Sequence, residues 1–136
     1  MATSLSTSSY APLLLRLALG LMWLAHGSMK LSVFTVAGFA GWLEQQGLPG
    51  WAAGPVIAVE IIGGIAIVLG LFGRWISLAL VPVLAVALWT HVPNGWLFTN
   101  AGGGWEFPAF LIAASLVHAL LGDGDWALRR PKLATA

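Results

Sequence analysis

The chain has 136 residues, 59% of them hydrophobic and 8% charged, with a formal net charge of +1, whereas soluble domains carry about 25% charged residues. Six Lys and Arg and five Asp and Glu spread over a soluble sphere would leave large apolar patches in water, which monomeric soluble proteins rarely show. A soluble globular enzyme is excluded, and lipid is the consistent solvent.

At roughly 20 residues per helical span, one domain of this length crosses a bilayer about four times. Residues 1–10, MATSLSTSSY, lack the positive n-region of a signal peptide. The apolar run that follows contains Arg16 and reaches His26 and Lys30 without a small-x-small cleavage site, so this segment is expected to be retained. The first helix is expected near residues 11–32, opened by Pro12 in a first turn where its missing N–H is harmless. Residues 34–46 then place Val36, Phe39, Trp42 and Leu43 at helical spacing, against a partly polar face of Thr35, Glu44, Gln45 and Gln46. That pattern predicts a short interfacial helix on the outer surface, with an irregular loop as the alternative. Further spans are expected over about 52–72, 74–92 and 105–122, with Gly and Pro crowded between them. The segment VPNGWLFTNAGGGW at 92–105 is expected to cover the outer end of the bundle. A β-barrel is excluded, because LIAASLVHALLG and VIAVEIIGGIAIVLGLFG are apolar or small on nearly all sides rather than alternating. The expected fold class is all-α: an integral membrane four-helix bundle, with the interfacial helix between helices one and two.

Arg16, Arg74, Arg129, Arg130 and Lys132 fall on the side shared by both termini and the 70–74 turn, with Lys30 alone opposite. Cytoplasmic ends collect Lys and Arg, so both termini are expected to be cytoplasmic. Trp42, Trp51, Trp75, Trp96, Trp105 and Trp126 flank the expected spans, where an indole suits the headgroup level.

A charge at the bilayer centre costs on the order of 2.5–3.5 kcal/mol on insertion scales and needs a partner, a wet cavity or a route to the surface. At ~1.5 Å rise per residue, Glu60 lies roughly 12 Å and His26 roughly 8–9 Å below the outer ends of their helices. Lys30 shares a face with His26, while His91 closes helix three and Glu106 opens helix four. His26, Lys30, Glu60, His91 and Glu106 are therefore expected to converge in the outer half of the bundle. Two readings stand. One is a pocket for a small head group, or a proton relay in which imidazoles and carboxylates serve a bound redox molecule. The other is structural, with Glu60 neutralising Arg16 or Lys30 and the remaining groups snorkelling to water. Gly63 and Gly64 permit close helix approach, within the bundle or between copies. His118, on the cytoplasmic half of helix four, is expected to make an interhelical hydrogen bond, and Asp123 and Asp125 to form a solvated helix end.

Other chemistries find little support. Cysteine is absent, so the chain holds no iron–sulfur cluster by thiolates and runs no thiol–disulfide exchange. Three separated histidines lack metal-ligand spacing, and neither a metal nor a haem site is expected. Gly102, Gly103 and Gly104 lack a P-loop lysine, no serine lies in a nucleophile elbow, and no basic stripe suggests nucleic acid.

The run RLALGLMWLAHGSMKL at 16–31, followed by EIIGGIAIVLGLFGR at 60–74, resembles the DoxX family of small four-helix bacterial membrane proteins. HVPNGW at 91–96, GGGWEFP at 102–108 and LGDGDWAL at 121–128 extend the likeness, so that it covers roughly residues 11–128. Arg16, His26, Gly27, Lys30, Glu60, Gly64, Gly70, Arg74, His91 and Glu106 fall on its motif positions. The basic Arg129 and Arg130 after WAL depart from the family's Asp-containing ending. The resemblance implies a multi-pass protein of the bacterial inner membrane, surrounded by lipid and assembled as a homo-oligomer or with a redox partner. It implies association with thiosulfate:quinone oxidoreductase, terminal quinol oxidase or oxidative-stress complexes, hence a quinone as cofactor. In that setting Glu60 and His26 would handle protons while a partner supplies electrons, and the chain alone would show little turnover. A non-catalytic membrane anchor, assembly factor or small-solute carrier is the alternative.

Overall fold

The structure, a computed structural model, describes residues 7–129; Arg130 and Lys132 lie outside the described residues. All regular elements among them are helical: α1 (Thr7–Met29), α2 (Thr35–Gln45), α3 (Ala53–Leu69), α4 (Gly73–His91) and α5 (Glu106–Leu121). A π-helical segment, Lys30–Phe34, joins α1 to α2, and single 3-10 turns cover Gly50–Ala52 and Val92–Asn94. Helices α1, α3, α4 and α5 form the bundle: α1 packs on α3, α3 on α4, α4 on α5, and α5 back on α1. The start of α1, the α3–α4 turn and residues 122–129 share one end, here the terminal end. Helix α2 and the 92–105 loop share the other, the loop end.

The bundle buries polar groups near both ends and turns large apolar side chains outward. Arg16, Glu60, Ser77, Ser115 and His118 are buried, while Leu14, Leu21, Ile62, Phe110 and Leu120 face outward. That arrangement suits lipid, where an outward leucine costs nothing and an inward polar group needs partners. Between the polar groups of the two ends lies a core of Leu19, Trp23, Ile67, Leu80, Leu84 and Leu111. Trp51, Trp75, Trp96 and Trp126 stay exposed near the helix ends, as amphipathic anchors would.

Small residues set how closely α1 and α3 approach. A Cβ on Gly64 would stand 3.0 Å from the Gly20 carbonyl oxygen and 3.0 Å from the Leu24 backbone nitrogen. Gly63 faces the other way, onto Leu80 of α4, so this glycine pair serves the interior of the bundle. Gly64→Ala is therefore expected to destabilise by about 1–3 kcal/mol, as overpacking does. Thermal unfolding in detergent checks this, with Gly54→Ala as control, because nothing lies within 4 Å of a Cβ at Gly54.

One boundary differs from the sequence reading. The first helix does not run unbroken to residue 32: it widens into the π segment and breaks at Thr35, φ 63° and ψ 159°. The Thr35 hydroxyl accepts the Gly38 N–H at 3.2 Å, the bond expected of an N-cap, and this cap holds a β-branched residue in strained backbone. Helix α2 then buries Phe39 and Leu43 against Ala53 and Ile57 of α3, leaving Val36 and Trp42 on its open side. The last span keeps its expected bounds to within one residue but is short. Tyr10–Gln45, Gly50–Leu69 and Gly73–Asn94 are long and apolar enough to cross a membrane, whereas α5 has 16 residues. At ~1.5 Å per residue it falls short of a ~30 Å hydrocarbon core. Gly122, with φ 82°, stops it and turns the chain back across the terminal end.

Candidate functional site

Positions 57, 60, 63, 64 and 67 of α3 are its buried stripe, and that periodicity carries Glu60 inward. Gly27 allows α1 to cross directly over it: a Cβ there would lie 3.2 Å from the Glu60 Cβ. Lys30, the first residue of the π segment, completes the pair, its Nζ 2.5 Å from Glu60 Oε1. The Lys30 ammonium also lies 5.3 Å from the centre of the Phe39 ring, so α2 covers the pair. Glu60 is 1% exposed, and its second oxygen, Oε2, is buried without a hydrogen-bond partner.

His26, one turn before Lys30 and half-buried, stacks on Phe107 at 5.8 Å and 23° between planes. Phe107 in turn lines a cleft of about 540 Å³ with Trp96, Phe98, Glu106 and Phe110. Glu106 stands on that cleft and accepts the Phe98 N–H at 2.8 Å, tying the loop to the start of α5. His91 has Nδ1 2.6 Å from the Ala87 carbonyl oxygen and its ring tilted toward Trp42 at 6.5 Å. The five expected residues thus divide. Lys30 and Glu60 pair directly, His26 backs the cleft through Phe107, Glu106 lines it, and His91 lies beneath α2. Of the residues expected to share a polar pocket, Glu60 faces Lys30, where Gly27 brings α1 down onto α3, and His26 faces Phe107 of the cleft. A second cleft, about 350 Å³, is formed by Tyr10, Leu13, Leu14 and Leu17 on α1, far from these groups along the helix.

The terminal end holds a second buried polar set. Arg16 Nη1 donates to the Asp123 carbonyl oxygen at 2.6 Å, so Arg16 turns to Asp123, and among the described residues it is Lys30 that pairs with Glu60. Asp123 Oδ2 accepts the Gly73 N–H at 3.1 Å, satisfying a free donor at the start of α4 as an N-cap carboxylate would. Its Oδ1 lies 3.2 Å from His118 Nε2, and His118 Nδ1 is 2.7 Å from Ser77 Oγ, an interhelical contact between α5 and α4. Asp123 is 8% exposed, so the reading of Asp123 as part of a solvated helix end is corrected: the turn at Gly122 points it inward. Sequence reasoning missed this residue, although a buried Arg16 demanded an acceptor and the glycines at 122 and 124 marked a tight turn. Ser77 and His118 are both 0% exposed, which leaves no path for a substrate to this Ser–His–Asp row. Leu128 N–H to Leu69 O and Arg129 N–H to Gly70 O, at 3.0 and 3.2 Å, fasten the returning segment to the α3–α4 turn. Gly70, φ 68°, has no room for a Cβ beside Ala127. Among the described residues, no group of three or more His, Asp or Glu could hold a metal ion.

A buried Lys–Glu pair and other buried polar groups, apolar faces outside and three helices of spanning length define a multi-pass helical membrane protein. The DoxX family model matches residues 11–93, more than half of the sequence, and the chain belongs to the DoxX family. The match includes Arg16, His26, Lys30, Glu60, Arg74 and His91, and ends before Glu106, His118 and Asp123. No curated protein and no solved structure gives a significant match.

Proposed function

We propose that this DoxX protein is the small membrane subunit of a quinone-linked oxidoreductase complex of the bacterial plasma membrane. Its terminal end, which collects most of the basic residues, faces the cytoplasm, and its loop end carries the site. The observation that carries this reading is the buried Lys30–Glu60 pair, one helical turn from a histidine stacked on the wall of an aromatic cleft.

A quinone ring needs planar apolar walls and nearby groups that exchange protons. Trp96, Phe98, Phe107 and Phe110 suit the walls, and the orphaned Glu60 Oε2 is a polar atom with capacity to spare. A bound quinone supplies two-electron, two-proton chemistry, its electrons coming from a partner protein. The residues of this chain orient the ring and hold protons: His26 lies behind Phe107, and Lys30 keeps the Glu60 carboxylate positioned at a depth that water reaches poorly.

Purification from native membranes in mild detergent, with quinone extraction and identification of co-purifying proteins, tests this. The expected result is a stoichiometric quinone beside a redox protein. Glu60→Gln is expected to slow quinone-linked electron transfer by roughly 100-fold, the lower range for loss of a general acid–base group, with the complex still assembled. A homo-oligomer carrying only phospholipid overturns the proposal and leaves the membrane anchor, assembly factor or small-solute carrier. Unchanged electron transfer in Glu60→Gln overturns the assignment of the site.

A further inference from the structure

At the terminal end two arginines stand on exposed aromatic rings. The Arg129 guanidinium carbon is 4.2 Å from the centre of the Phe72 ring, and that of Arg74 is 5.5 Å from the centre of the Trp75 ring. Both flank the α3–α4 turn: Arg74 is the second residue of α4, and the Arg129 N–H is bonded to the Gly70 carbonyl. Neither is in an ion pair among the described residues. Asp123, the buried carboxylate of this end, is turned inward onto Gly73 and His118. Phe72, Trp75 and Trp126 are 47%, 62% and 75% exposed, so the two cations sit in a collar of open aromatic surface.

A guanidinium lying over a ring is held by the face of the ring and keeps its N–H edge free. That edge suits the oxygens of a phosphate, which it can meet with two parallel bonds. Exposed Trp at a helix end settles at the headgroup level, and Trp75 and Trp126 place both guanidiniums at the depth of lipid phosphates. We propose that Arg74 and Arg129 form a headgroup site for an anionic phospholipid. Charge complementarity selects this occupant. Two uncompensated cations attract a headgroup that carries net negative charge, whereas a zwitterionic headgroup brings a cation of its own. The aromatic collar selects a lipid over a free anion, because acyl chains cover Phe72, Trp75 and Trp126 while the phosphate is held.

Native mass spectrometry of the delipidated full chain in detergent, titrated with phosphatidylglycerol or phosphatidylcholine, tests the site. Each arginine near an anionic surface contributes about a fivefold preference and the two together about thirtyfold. Wild type is therefore expected to retain phosphatidylglycerol at roughly thirtyfold lower concentration than phosphatidylcholine. Arg74→Gln with Arg129→Gln, leaving Arg130 and Lys132 in place, is expected to remove that preference. Arg74→Lys with Arg129→Lys keeps most of it and shows that the paired replacements fold. Equal retention of the two lipids by wild type overturns the proposal, as does a preference that survives both glutamines. Displacement of phosphatidylglycerol by an equal concentration of inorganic phosphate also overturns it, since the site would then take a free anion.

Discussion

Lys30→Met is expected to destabilise the bundle by about 3–5 kcal/mol, Glu60→Leu by less, and the two together by less than either alone. Removing one partner of a buried ion pair strands the other in a medium that cannot solvate it. The two partners are not equally stranded. The Lys30 side chain is 18% exposed and that of Glu60 2%; without Glu60 the ammonium reaches water along its own stem, whereas without Lys30 the carboxylate stays shut beneath Gly27 and α2. The double variant replaces the pair by apolar groups of similar volume, which restores stability while removing the charges. Unfolding of all four proteins in one detergent forms the double-mutant cycle. Additive losses would sink the argument, because they would mean that the two side chains do not depend on each other. The same cycle separates the two roles of the pair. A double variant that is stable yet silent in quinone-linked electron transfer assigns a function to the charges, and one that is stable and active makes them structural.

How much of this was legible in the sequence depends on the range of each interaction. The helical segments followed from charge spacing, and α2 from the periodicity of Phe39 and Leu43, since both signals are local. Lys30 with Glu60 was readable as one of two pairings because depth arithmetic placed Glu60 near the level of His26, whose helical face Lys30 shares. The choice between Lys30 and Arg16 was not readable, for it rests on Asp123, more than a hundred residues from Arg16. Asp123 itself reads as solvent-exposed in a run of Gly, Asp and Trp, and only the left-handed turn at Gly122 directs it inward. Glu106 opened a helix on paper, and in the fold its carboxylate satisfies the Phe98 N–H across the loop, a contact that no spacing rule encodes. Gly63 and Gly64 announced close packing without naming the partner; α1 and α4 each take one of them.

Asp123→Ala is expected to cost about 1–3 kcal/mol, from the buried Gly73 N–H left unpaired, with the 3.2 Å contact to His118 lost beside it. The loss is expected to be local before it is global. With the carboxylate gone, the segment from Gly122 onward keeps its backbone bonds to Leu69 and Gly70, the Arg16 contact to the residue 123 carbonyl and the Arg129 contact to Phe72, but loses its side-chain tie to the start of α4. Arg16 itself gains nothing from an alanine side chain. Because the natural chain contains no cysteine, a single Ala127→Cys, placed against Gly70, reports on this opening. Maleimide is expected to label it slowly in the parent and at least tenfold faster beside Asp123→Ala, since a contact worth about 1.4 kcal/mol already changes an opening equilibrium tenfold. Asp123→Asn keeps an oxygen for the Gly73 N–H but loses the charge facing His118, so it falls between the two in both stability and labelling. Equal labelling rates in the three proteins would show that the returning segment is fastened by its backbone alone, with Asp123 contributing nothing to closing the terminal end of the bundle.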